Sequence, residues 1–180
     1  MMDFAGEPWD YLAASEAIDI EHPLVVATAS ELRTGDDIAY ARSAFEYVRD
    51  QVTHSMDADD PRVPWRASDV LEERTGLCYA KSHAYVALLR AGGVQAGLCY
   101  QIVDGVVHGL TAALIDDRWV HLDPRGNKPG LDVQFSASED RLAYPSVPVL
   151  PTVHAVPHPT VLKALRGMRR LTPEALPTAL

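Results

Sequence analysis

Apolar residues Ile38, Ala41, Phe45, Val48 and Val52 recur every three or four positions, and Tyr40, Ala44 and Tyr47 widen the same stripe. That period marks an amphipathic helix with one buried side. Asp36 or Asp37 stands where a cap is needed, so a helix is predicted from there to about Gln51. An acidic, proline-bearing loop is expected over residues 56–64. After it, Ser68 is predicted to cap a short helix through Glu73, with Gly76 as its stop. Beyond Gly76 the polar positions almost vanish. Ala80, Ala84, Ala87, Leu88, Leu89 and Ala91 surround most of a helical circumference, with Lys81, Ser82, His83 and Arg90 as exceptions. Such a helix is largely buried, and its alanines admit close neighbours. Gly92-Gly93 ends it.

From residue 94 to 123 the pattern changes to strands. Asp104-Gly105, between two short runs of β-branched residues, is a hairpin turn signal. Asp116-Asp117 separates residues 110–115 from 118–122, which predicts a three-stranded antiparallel meander ended by Pro124, Gly126, Pro129 and Gly130. Five prolines between residues 143 and 159 predict an extended arm. A last amphipathic helix follows, with Val161, Leu165, Met168 and Leu171 on one side. In the first thirty-five residues Pro8 and Pro23 interrupt short apolar runs and no period emerges. The expected fold class is α+β, one domain over residues 1–180 with its core at about 36–135 and the arm and final helix in 136–180.

The length of 180 residues suits one domain with a real core, and a net charge of −9 argues against nonspecific binding to nucleic acid or anionic membranes. No signal-peptide pattern and no membrane-spanning run is present, so a cytoplasmic protein is expected. Cys78 and Cys99 are too few for a disulfide framework and form no Cys-x-x-Cys pair. Both are expected as reduced thiols, with neither metal nor cofactor implied.

Cys78 stands two residues after Gly76 and opens the buried helix, where the helix dipole and free amides favour a thiolate. Cys99 has no such context and reads as strand core. His108 lies within a strand and Asp123 ends the next. If Asp116-Asp117 is a two-residue turn, Ile115 pairs with Arg118, His108 faces Arg125, and Asp123 lies diagonally from His108 on the same face. Diagonal side chains start roughly 7 to 8 Å apart, within reach of each other. A three-residue turn would put them on opposite faces. Other candidates fit less well. His83 is about 140° around the helix from Cys78. His121 shares Asp123's face and reads as a structural strand histidine. Asp57, Asp59 and Asp60 lack the glycine and terminal glutamate of an EF-hand, so a solvated acidic loop is expected. Lys163, Arg166, Arg169 and Arg170 read as the solvent face of the last helix.

The run Gly76-Leu77-Cys78-Tyr79-Ala80-Lys81-Ser82-His83, continued by Ala87-Leu88-Leu89-Arg90-Ala91-Gly92-Gly93, then Val107-His108-Gly109 and Trp119-Val120-His121-Leu122-Asp123-Pro124, resembles the bacterial transglutaminase-like superfamily. The similarity is best over residues 45–134, and residues 135–180 are similar to a bacterial subgroup. The resemblance implies a papain-like core in which Cys78, His108 and Asp123 form a catalytic triad. It also implies a second oxyanion donor beside the Cys78 amide. Where the family often has an aromatic residue this chain has His54, so His54, Gln51 and Trp65 are the candidates. The flanks of the large animal cross-linking enzymes are absent. Together these features lead to the expectation of cysteine-dependent hydrolysis of an amide or peptide bond in a peptide, protein or small amide. The alternatives are an amine-accepting transglutaminase, a metal-assisted hydrolase using Cys78 and His108, or a noncatalytic protein-binding module that retains the fold.

Overall fold

In the computed structural model, which describes residues 1–180, the least polar stretch of the sequence lies at the centre. The helices are α1 (Pro23–Leu32), α2 (Asp37–Gln51), α3 (Ala67–Glu73), α4 (Cys78–Ala91) and α5 (Pro159–Gly167). The strands are β1 (Asp3–Phe4), β2 (Thr53–His54), β3 (Thr75–Gly76), β4 (Ala96–Val103), β5 (Val106–Ile115), β6 (Arg118–Leu122) and β7 (Thr152–Val153). Strands β4, β5 and β6 form an antiparallel sheet in that order. Helix α4 packs on β4 and β5 with one side and on α1, α2 and α3 with the other, which gives the α+β architecture. Burial on all sides explains why α4 carries no polar stripe.

Every residue of α4 from Cys78 to Arg90 is buried, its polar ones included, and those polar groups need partners. The Lys81 ammonium donates to the carbonyls of Arg49 and Val52 at the end of α2, where carbonyls lack helical partners. His83 Nδ1 meets the Trp65 carbonyl at 2.8 Å. The Arg90 guanidinium donates to the carbonyls of Ala13, Ala96 and Ala155, tying three distant segments together. The Tyr40 hydroxyl donates to Leu88 O, and the Tyr85 hydroxyl to Ala41 O at 3.0 Å, which locks α2 against α4.

Asp36 is the cap of α2, its carboxylate accepting from the Ala39 amide at 2.8 Å. Around α3 the expectation needs correction. Arg66 is the capping residue, while Ser68 lies inside the first turn and donates through its amide and hydroxyl to Asp19. The stop is Arg74, held at φ 52°, rather than Gly76, which pairs with His54 in the short parallel β2–β3 ladder. A tertiary carboxylate and a strand pairing here override local capping signals.

Both hairpins are two-residue turns with positive φ at each central residue: Asp104 and Gly105 at 49° and 78°, Asp116 and Asp117 at 52° and 58°. These turns match the right-handed twist of the strands. The proline-rich arm is bound to the sheet: Val149 and His154 bridge to Gln101 and Leu98 on the outer edge of β4, and β7 pairs with β1. Helix α5 is shorter than expected. Met168 leaves it with extended backbone, and the Leu171 amide instead donates to Pro61 O. No helix is long and apolar enough to cross a membrane.

Candidate active site

Cys78 is the first residue of α4, after an extended Leu77 whose conformation ends the β3 segment. The amides of a first helical turn have no intrahelical acceptor, and the dipole favours an anion there. The β2–β3 ladder brings His54 to the same helix start. On the other side lies β5, from which the Gly109 amide donates to Cys78 Sγ at 3.4 Å. A side chain at Gly109 would stand 2.9 Å from the Tyr79 ring and 3.1 Å from Tyr79 Cα, so only glycine lets the strand approach so closely.

His108 precedes Gly109 and meets Asp123 across the sheet, Nε2 to Oδ2 at 2.9 Å. With Nε2 engaged, Nδ1 is the ring nitrogen left for the thiol. Asp123 is fully buried and also accepts from the amides of Ala143 at 3.1 Å and Arg125 at 3.2 Å. The ring of Tyr144 meets His108 edge to face at 5.0 Å between centroids.

The ionisation equilibria of these groups are interdependent. Burial by itself raises the Cys78 pKa, but the charge of His108 and hydrogen bonds from His108 and His54 outweigh it and bring the thiol down to about 6. Burial favours neutral His108, yet the Asp123 carboxylate and the Cys78 thiolate hold its pKa well above the ordinary value. Asp123, whose pKa burial would raise, is held below the carboxylate norm by His108 and the two amides. The favoured pair is thus thiolate and imidazolium. Cys99 shows the contrast: burial pushes its thiol up to about 12.

A cleft of about 270 Å³ opens over the sulfur, lined among others by His54, Tyr79, Val107, His108, Arg125, Tyr144 and Leu176. Cys78, His108 and His54 line it, Asp123 lies buried behind His108, and His54 Nδ1 has no hydrogen-bond partner. Gln51 and Trp65 do not line it. Gln51 is exposed at the end of α2, and the Trp65 ring lies against the guanidinium groups of Arg66 and Arg166. His83 is engaged with Trp65, and His121 with Asp140 at 3.0 Å.

Two further expectations require correction. Strand β6 stops at Leu122 opposite Thr111, so Arg125 leaves the sheet before it can face His108. Its guanidinium instead grips Asp57 at 2.7 and 3.0 Å, and Lys128 adds a third contact at 2.8 Å. Asp57 is therefore an ion-pair anchor and not a solvated loop residue. Gly109 and Tyr144 join the site without having been expected from the sequence. A glycine inside a strand is a signal of close backbone approach, whereas nothing local marks Tyr144.

Residues 26–124 match the model of the transglutaminase-like superfamily. No curated protein matches the sequence. Among solved structures the fold is similar to a candidate cysteine protease from Cytophaga hutchinsonii, with 18% identity and a TM-score of 0.58 over 68% of this chain and 43% of that one. It is also similar to the periplasmic domain of TgpA from Pseudomonas aeruginosa in its ethylmercury-bound form, with 19% identity and a TM-score of 0.53 over 65% of this chain and 48% of that one. The matched region thus spans less than half of either neighbour. At these identities the likeness is one of fold.

Proposed function

The chain belongs to the transglutaminase-like superfamily, and on that premise we propose that it hydrolyses an amide or peptide bond by cysteine-dependent acyl transfer. The observation that carries this reading is the buried line from Cys78 through His108 to Asp123, with the sulfur at the start of a long helix. In the proposed reaction the Cys78 thiolate adds to the acyl carbonyl, and the His108 imidazolium gives its proton to the departing amine. A thioester remains on Cys78. His108, now neutral, takes a proton from water as that water attacks, and the acid product leaves with the thiolate restored. Asp123 keeps the imidazole in one tautomer and orientation throughout.

The tetrahedral oxyanion needs two donors in a dry site. The free Cys78 amide is proposed as one. His54 is proposed as the other, supported by its place in the cleft and its influence on the sulfur. Water is the proposed acceptor because no separate amine site is evident from these residues. The test is turnover of a panel of peptidyl amides by the wild-type chain and Cys78→Ala. Loss of turnover in the variant, with its circular dichroism unchanged, is expected. Turnover that survives Cys78→Ala would rule the mechanism out.

A further inference from the structure

Residues 172–180 follow α5 and cross to the rim of the same cleft. Strand β6 covers only residues 111–115 of β5, which leaves the neighbouring stretch of that edge without a partner strand, and the Val107 carbonyl there accepts from the Tyr79 hydroxyl. In an antiparallel strand alternate residues turn their amides to one edge, and Val107 and Gly109 both turn toward this open one. The Gly109 amide is taken by the Cys78 sulfur, and the Val107 amide donates to the carbonyl of Pro177 at 2.8 Å. The two donors are two residues apart, about 7 Å along the strand. Leu176, extended at φ −67° and ψ 141°, lines the cleft beside Leu77 and Tyr79.

The main-chain hold on this segment is slight, although Leu176 packs against the core. After the Leu171 amide bonds to Pro61, the bond from Val107 to Pro177 is its single backbone link to the rest of the fold. Leu176 is half-buried, Pro177 is buried, and residues 178–180 are exposed. A strand edge without a partner strand beside an apolar cleft can take an extended peptide through the Val107 amide, with the pocket selecting a side chain.

We propose that residues 172–180 sit where a peptide ligand binds, resting on the reading of Cys78 as the nucleophile of this cleft. The ligand class is then an extended peptide that presents a leucine-sized side chain to the pocket and the next carbonyl to the Val107 amide. The chain's own segment competes with that ligand.

The test uses the full chain with Leu176→Asp. Hydrogen exchange reports the Val107 amide, and iodoacetamide reports access to Cys78. Both should speed up by about tenfold, the ratio that corresponds to ~1.4 kcal/mol of lost strap binding. A synthetic peptide covering residues 172–180 should restore both slow rates, and the same peptide carrying the aspartate should not. Leu176→Ala, a milder change on a half-buried side chain, should move both rates in the same direction if the aspartate variant folds poorly. Faster exchange at Val107 with unchanged alkylation, no change in either rate, or no restoration by the peptide would each overturn the proposal. The pH midpoint of alkylation is read in the same samples. A midpoint at the ordinary thiol value would sink the nucleophile reading alone, since it reports the thiolate and not the strap.

Discussion

At Cys78 the balance of burial against charge sets the chemistry. Because the thiol is held at about 6, alkylation of Cys78 should keep its full rate from neutral pH downward and fall only as pH drops through about 6, where the sulfur gains its proton. His108→Ala removes the neighbouring cation and leaves burial in control, so the midpoint should move upward and the neutral-pH rate should fall. Stopped alkylation followed by mass spectrometry across pH measures both. Asp123→Asn keeps the volume but turns an acceptor of three hydrogen bonds into a group with one acceptor oxygen. Under the proposed mechanism it should lower turnover on the order of 10³- to 10⁴-fold, with a smaller effect on KM. Equal turnover in the Asp123→Asn variant and the wild-type chain would show that orientation of His108 does not matter.

The elements are fixed by contacts as much as by their own sequence signals. Gly92 and Gly93 look like one helix stop, yet they serve different ends. Gly93 has φ 87° and open space around it, so Gly93→Ala should cost only the backbone penalty, about 1 kcal/mol. Gly92 has an ordinary φ of −88°, but a Cβ there would fall 2.1 Å from the Tyr40 ring. Gly92→Ala should therefore cost more, about 2–3 kcal/mol, by pushing α2 off the end of α4. Urea unfolding midpoints of the two variants distinguish them, and equal losses would contradict this division. The Asp116-Asp117 turn offers the opposite case. Asp117 is held at φ 58°, and Asp117→Gly should stabilise the hairpin by about 0.5 kcal/mol in the same assay.

Across the whole molecule, one acid joins the loop after β2 to the corner after β6. Burial alone would raise the Asp57 carboxyl, but hydrogen bonds from Arg125 and Lys128 carry it down to about 2. A carboxyl depressed in the folded state contributes stability above its unfolded pKa of about 3.9 and loses that contribution as pH falls through the folded value. Stability should accordingly decline between about pH 4 and pH 2, and this component should be missing in Asp57→Ala. At neutral pH that variant leaves the buried Arg125 guanidinium without its carboxylate, at a cost of about 3 kcal/mol. Unfolding free energies of both chains across this pH range are the check. A parallel pH dependence would remove Asp57 from the account.

The hydrophobic period and turn chemistry determined the central helix and the meander, because each depends on residues within a few positions of one another, and the two-residue turn of that meander then lets His108 reach Asp123 fifteen positions away. Cys78 at a glycine-led helix start was visible for the same reason. Tertiary structure decided what those local patterns leave open. It chose His54 over Gln51 and Trp65 at the cleft, because only the β2–β3 pairing carries a side chain to the helix start. It turned Asp57 into an anchor, brought Tyr144 from the arm onto His108, and laid Pro177 on the edge of β5. Each of these contacts joins segments far apart in the chain. Their energies depend on desolvation and approach in three dimensions, for which the linear sequence carries no period.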